Sequence, residues 1–548
     1  MKRNCLARAA LLGCLLLLTG CPNPGNTDSP DASTPDASTE TDASTPDAST
    51  PDASTGYEWD GGYVPLDEVG NWPGPEPEQY ASCRFGPSDA GGCGFNTFDL
   101  SACDQDSLDN AGTGGTYMLS ARMEDKTGGF LLSYVDVLTL SEDGGTAYLN
   151  GLAATESRQG NARLFSTTSK TRDGGTSHYA VVTCAAPQAP EFTGCFAYCM
   201  NDRFDYGGTF KSEHVKWRAG ESEASGLELV SENPVDLGQP SDVYVTRGHA
   251  YVVSSNRRTK TGGLTVFDVS DKTAPVKVKT VEMPSDTNWN GVWAKDNALY
   301  VTSTVKGVLV FDISDPANPL LVKSVPSRTT QLNNHTLFVD GNRLYATLNT
   351  TVSIFDITSP LEPIELNRYA AYNTVAHDIL AVGDRLYVNH GGAGYVVVDV
   401  SDTNNLRTLG RYRHYDIFSH ANAVGTFAGR TIAFMGGEGP GEHLRVLDVT
   451  DPANIVKIGE FKLRQNISIH NMLLVGKKLY LTWYQEGVRV LDVSNPTQPT
   501  QVAYFNTWRE SDPHEADHLD GAIGIRIPGD GYIYTVDTIR GLLILREK

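Results

Sequence analysis

The sequence predicts an all-β protein: a seven-bladed β-propeller preceded by a small disulfide-containing β domain and a disordered tether. Three observations carry this. A phrase of the type GVLVFDISDPANP recurs six times, anchored on Asp268, Asp312, Asp356, Asp399, Asp448 and Asp492, which stand 44, 44, 43, 49 and 44 residues apart. A period of that size marks a propeller or a solenoid. Six cysteines beyond residue 21 all lie upstream of the repeats, and a PDAST repeat precedes them.

The chain opens with MKRNCLARAALLGCLLLLTGC, where Lys2, Arg3 and Arg8 form a basic start and residues 9–18 an apolar core too short to remain as a membrane-spanning helix. Leu18-Thr19-Gly20-Cys21 resembles the bacterial lipobox. That resemblance implies removal of residues 1–20, acylation of Cys21 and a lipid-anchored place in the bacterial cell envelope, at the outer membrane. The rival reading is an ordinary secretory signal in which the cysteine stands by chance. Several acyl chains on one cysteine give stable anchoring where one chain does not. No other apolar run reaches spanning length, so the expected contact with the membrane is through lipid alone.

Residues 21–79 are assigned to the tether. PDAST-PDAST-ETDAST-PDAST-PDAST has almost nothing to bury and repels itself through its aspartates, so it cannot offset its ordering entropy. The formal charge of −22 argues against nucleic acid as a partner and against direct binding to an anionic membrane surface.

Residues 80–218 change character. GTYMLSARM, GFLLSYVDVLTL, TAYLNGLA, ARLFSTTSK and HYAVVTCAA are strand-like, with DGGT turns at Asp143 and Asp173, and a sandwich or a barrel is expected. Cys83, Cys93, Cys103, Cys184, Cys195 and Cys199 are an even set in an exported chain, which points to three disulfides with fifteen possible pairings. A metal site is the alternative, since Cys195 and Cys199 are four apart, but CxxC pairs are absent. Whether this domain binds a ligand, contacts the propeller or spaces it from the tether is open at this level.

Residues 226–548 hold the repeats, each with four short β-favouring runs, such as GVWAKDN, LYVTST, GVLVFDIS and PLLVKSV. Four strands per unit is the blade of a propeller. The Asp-x-Ser-Asp-Pro segment reads as a turn, so the repeated aspartates are structural. Seven third strands occur, the last in GLLILREK, but only six fourth strands follow them, because the chain stops at Lys548. GLELVSENPVDLG, residues 226–238, is expected to supply the missing strand and remove an open edge. The phrases LYVTSTVKGVLVFDISDPANPLLVKSV and LYLTWYQEGVRVLDVSNPTQPTQVAYF resemble LVIVD repeats. The resemblance implies a propeller in a secreted or surface protein, and it implies no activity.

Function is sought in departures from the repeat. Aligned on the LYV strand, the residue at the start of each inner strand is Ser241, Asn290, His335, His377, His420 and His470, with a residue near Asp520 expected in the last blade. Equivalent positions converge around the axis, so His335, His377, His420 and His470 form a candidate ring for a divalent metal or an anionic ligand. The competing reading ties each histidine to the turn of its own blade. His514-Glu515-Ala516-Asp517-His518 formally matches HExxH, but Pro513 and Gly521 leave room for at most two helical turns. A loop site in which His514 and His518, with Asp517 or Asp520, roof the ring suits this stretch better than a zinc-protease helix. GEGPGE, residues 437–442, lacks the strand–turn–helix context of a phosphate loop and reads as an extended loop in the fifth blade.

Two functions follow. One is a non-enzymatic envelope binding or scaffold module that contacts an extracellular or envelope protein or glycan. The other is a metal-binding protein or metal-dependent enzyme with its site at the channel mouth. The first asks for no cofactor and the second for a divalent metal.

Overall fold

Each repeat folds as four antiparallel strands. The computed structural model describes residues 58–71, 78–86, 93–125, 127–141, 145–171, 174–257, 260–283, 285–326, 332–414, 417–512 and 518–548; the leader, Cys21, the PDAST repeat, His514, Glu515 and Asp517 lie outside them. In blade 2 the strands are Val292–Lys295, Ala298–Ser303, Gly307–Asp312 and Leu320–Val325, paired in that order. The second strand is buried throughout and the third nearly so, because neighbouring blades cover both faces, whereas the fourth is largely exposed. That explains why the sequence reads as continuous apolar runs followed by a mixed one.

Three repeated details hold the blades. The aspartate of the phrase accepts the amide two residues on, as Asp312 Oδ1 does from Ser314 at 2.8 Å and Asp356 from Thr358 at 2.8 Å, which is the turn role expected of it. The tyrosine of the second strand reaches the next blade: Tyr251 Oη donates to Pro316 O at 2.8 Å and Tyr300 Oη to Pro360 O at 2.7 Å. The glycine that opens the third strand has φ +82° at Gly307 and +77° at Gly487, and a Cβ there would meet the carbonyls of Val325 and Phe505 at 2.6 and 2.2 Å. Only glycine fits both demands.

Seven such sheets occur among the described residues. The last joins Ala522–Arg526, Ile533–Asp537 and Gly541–Glu547 to Leu227–Asn233, so the segment before the first blade closes the ring as expected. The two residues Ala224–Ser225 first add to the outer strand Thr500–Phe505 of blade 6, so the incoming chain bridges the last two blades.

The cysteine domain is a closed barrel of eight antiparallel neighbours, from Gly115–Glu124 round to Arg203–His214. Cys195, Ala197 and Cys199 point outward with Cys184, Ala180 and Val182, while Phe196 packs inward on Tyr134 at 5.5 Å. The disulfides are Cys83–Cys195, Cys93–Cys199 and Cys103–Cys184. They staple the segment before the barrel over its outer face, so these cysteines are not metal ligands.

The opposite outer face meets the propeller. Met118, Val135, Val137 and Val215 share one core with Ile467, Trp483 and Trp508. Trp217 Nε1 donates to Trp508 O at 2.6 Å, and Ser120 Oγ to Asn466 Oδ1 at 2.9 Å. The barrel therefore sits on the loops that lead into the inner strands of blades 6 and 7. It contacts the propeller and is no mere spacer.

The assignment of all of 21–79 to a free tether needs correction. Trp59 is buried, Arg430 Nε donates to Gly61 O at 2.9 Å, and Tyr63 Oη donates to Asp448 Oδ2 at 2.9 Å. Leu66 N donates to Lys457 O at 2.9 Å, and Glu68 meets the fully buried Arg445. Residues 59–70 thus form a strap up the side of blade 5. WDGGYVPLDEVG carries the aromatics the PDAST repeat lacks, and buried Trp59 and half-buried Tyr63, together with Glu68 on Arg445, offset the cost of ordering it. Among the described residues no helix is long and apolar enough to cross a membrane.

Candidate functional site at the channel mouth

The ring residues lie where each inner strand begins. In blades 1, 3, 5 and 7 that entry carries a register irregularity, skipping Ser241, His335–Thr336, His420 and Ile523 respectively. A bulge frees one residue from the ladder and re-aims its side chain. In blades 4 and 6 His377 and His470 precede the strand, and their amides bond Asn389 O and Thr482 O, each at 2.8 Å.

The four histidines come together as expected. Ring centroids are 4.0 Å apart for His335–His377, 4.1 Å for His377–His420 and 4.8 Å for His420–His470. On one side the arc continues in hydrogen bonds: Asn290 Nδ2 donates to His335 Nδ1 at 3.1 Å, and the Ser255 hydroxyl donates to Asn290 Oδ1. On the other it ends on Tyr484, 5.3 Å from His470. Ile523, three residues after Asp520, takes the seventh position, because His470 Nδ1 bonds Ile523 O as His420 Nδ1 bonds His470 O, both at 2.8 Å. Asp520 pairs instead with Arg257 at 2.6 Å and accepts from Thr538.

These bonds show that His420 and His470 are tied to the following blade, not to the turn of their own. They also assign the protons. A carbonyl only accepts, so Nδ1 carries hydrogen in both rings and a neutral imidazole keeps its lone pair on Nε2. Burial is the main force on all four. It holds His335 and His420 at about 4 and His470 at about 3, and together with the neighbouring imidazoles it holds His377 well below the usual range. At neutral pH the ring is therefore uncharged. It offers lone pairs, which suit a metal, and no positive charge for the anionic ligand that a ring of imidazoles also allows.

One residue of the site is not found by repeat alignment. Glu438, in the GEGPGE loop, places Oε2 3.6 Å from His420 Nε2 and accepts the Tyr484 hydroxyl on Oε1. Tyr484 itself stands at φ +34°, a conformation side chains seldom take. Ligand atoms of His377, His420 and Glu438 all lie within 4.8 Å of one another. The signal in the sequence is the glycine-rich acidic connection present in blade 5, set between the blade's second and third strands. Glu442 of the same stretch is buried on Arg445 at 2.7 Å, a packing role.

His518 is placed toward the barrel. Its charge acts on Asp136, whose carboxyl burial pushes up to about 6 against hydrogen bonds from Tyr179 and Asn150, and its carbonyl accepts from Gln485. His514, the other half of the expected roof, lies outside the described residues.

Residues 237–282, 288–326, 375–414 and 471–507 match the family model of the LVIVD repeat. These are blades 1, 2, 4 and 6, each with a third strand that opens on glycine; blades 3 and 5 open theirs on or after Thr351 and His443. No curated protein matches the chain. Among solved structures, the computationally designed Ika8 protein is similar over 70% of this chain and 95% of its own, at 9% identity and TM-score 0.40. A chain of a Mitotic Checkpoint Complex structure is similar over 58% and 95%, at 11% identity and TM-score 0.41.

Proposed function

We propose that this chain, a seven-bladed propeller carrying LVIVD repeats, is a lipid-anchored binding or scaffold module of the bacterial cell envelope. In this reading Cys21 holds it to the outer membrane, and the propeller meets an envelope or extracellular protein or glycan. The observation that carries the reading is the path of the strap. Its first residues lie at the hairpin of blade 5's first two strands, where Gly61 packs on Ala428, and it climbs to Arg445. The inner strands begin at the other end of the blade, at His420. The chain thus joins blade 5 at the end opposite the channel mouth. The closed ring, the three disulfides and the self-repelling PDAST repeat all suit an exported, rigid head on a solvated stalk.

The test is fractionation of cells expressing wild type or Cys21→Ser. Wild type is expected in the detergent phase and the variant in the aqueous phase. Persistent membrane association of Cys21→Ser would overturn lipid anchoring.

A further inference from the structure

We infer that the channel mouth holds one divalent first-row transition-metal ion, of the zinc type, between the imidazoles of His377 and His420 and the carboxylate of Glu438. The inference goes beyond the anchoring of the protein and does not depend on it.

Four features converge. The first is spacing. A tetrahedral ion with nitrogen and oxygen ligands at about 2.1 Å sets those ligands roughly 3.4 Å apart. His420 Nε2 and Glu438 Oε2 stand 3.6 Å apart, beyond hydrogen-bonding distance and close to that separation.

The second is the direction of the lone pairs. The bond from Nδ1 to the His470 carbonyl leaves His420 Nε2 without a proton. It faces a carboxylate oxygen. Two acceptors turned toward each other repel, and a cation between them converts the repulsion into two bonds.

The third is an orphan. His377 is buried to 8% exposure, and its Nδ1 has no hydrogen-bond partner. A buried polar atom left unpaired costs about 1–3 kcal/mol, and a ligand atom of this same imidazole lies within 4.8 Å of those of His420 and Glu438, so the ring calls for a partner.

The fourth is support around the ligands. Metal-bound histidines usually donate their other ring nitrogen's hydrogen to a carbonyl or carboxylate, which fixes the ring and raises its basicity. His420 does this to His470 O. Tyr484 holds the second oxygen of Glu438, fixing the carboxylate as the carbonyl fixes the imidazole.

The donor set names the ion's class. Two imidazoles and one carboxylate suit zinc and its neighbours, whereas calcium and magnesium require oxygen ligands throughout. Three protein ligands leave a fourth position open for water or an exchangeable ligand, as in sites that bind or activate a small molecule.

The experiment uses the full chain, purified in detergent and stripped with chelator. Zinc is titrated calorimetrically, and Co²⁺ is titrated in parallel while its visible d–d bands report the coordination geometry. Wild type is expected to take up one equivalent of each, with Co²⁺ bands of a four- or five-coordinate site. Glu438→Gln keeps the side chain's shape and is expected to bind more than about tenfold more weakly; Tyr484→Phe, which removes only the support, is expected to lose about tenfold. His249→Gln, on a histidine at the rim of blade 1, is expected to bind as wild type does. Circular dichroism of each variant establishes that the propeller is intact. Absence of binding by wild type would overturn the proposal, and so would a folded Glu438→Gln that binds as tightly as wild type. Uptake by wild type that His249→Gln abolishes would place the ion elsewhere and overturn it equally.

Discussion

Replacing Glu68 with glutamine should loosen the strap from blade 5, and the structure sets both the size and the pH dependence of the effect. Arg445 is fully buried; it donates Nε to Glu68 Oε2 at 2.9 Å, Nη2 to Gly70 O at 2.9 Å and Nη1 to Glu442 Oε2 at 2.7 Å. Burial pushes the Glu442 carboxyl up to about 7 in spite of Arg445, which weakens it as a counter-ion. Glu68 is the reliable one. Burial works against its charge too, but Arg445, the Tyr412 hydroxyl and Lys457 outweigh that and hold it at about 2.

A drop from an unfolded value of about 4.3 to about 2 corresponds to roughly 3 kcal/mol. Glu68 keeps 18% of its side chain exposed, and solvent screening reduces this to about 1–2 kcal/mol. The sign follows from the depression. The carboxylate's contribution is complete above about pH 5, falls to about half near pH 3, and is lost as pH drops through about 2. Glutamine mimics the protonated acid, so the gap between wild type and Glu68→Gln should close over that same window.

The Leu66 amide, bonded to Lys457 O at 2.9 Å, reports opening of the strap through its hydrogen exchange. At pH 7 its exchange should be about 5–30-fold faster in Glu68→Gln, the factor that 1–2 kcal/mol implies. Equal protection of Leu66 at pH 7, or a gap that stays constant down to pH 3, would refute the reasoning.

Deleting residues 227–233 should open blade 7 along Gly541–Glu547, exposing a sheet edge; the protein should then aggregate or lose cooperative melting, and an unchanged monodisperse melt would count against closure by this strand. Reduction removes three links with sequence separations of 112, 106 and 81 residues, each worth about 4–5 kcal/mol in the chain-entropy view. With dithiothreitol the barrel's amides should therefore lose protection before those of blades 1–4, which a comparison of peptide-level exchange will check.

Much of the architecture was legible because it repeats. The 44-residue spacing, the turn aspartates and the deficit of one fourth strand led to seven blades and to closure by 226–238. The even cysteine set pointed to disulfides, and the strand-like runs with their DGGT turns to a sandwich or barrel. The convergence of His335, His377, His420 and His470 was also legible, since equivalent positions in a ring must meet at its axis.

What the sequence by itself determined is thus whatever depends on period and local chemistry: strand, turn, blade count and the residues that share an axial position. Only the tertiary structure decided the rest. The cysteine pairing depends on which barrel strands lie side by side. Glu438 joins the histidines through a loop that belongs to no repeat. The strap leaves the tether because Arg445, 377 residues from Glu68 in sequence, is fully buried and requires an anion. The physical reason is common to all three: each rests on contacts between residues far apart in the chain, and their energies depend on burial and lone-pair direction, which no local pattern records.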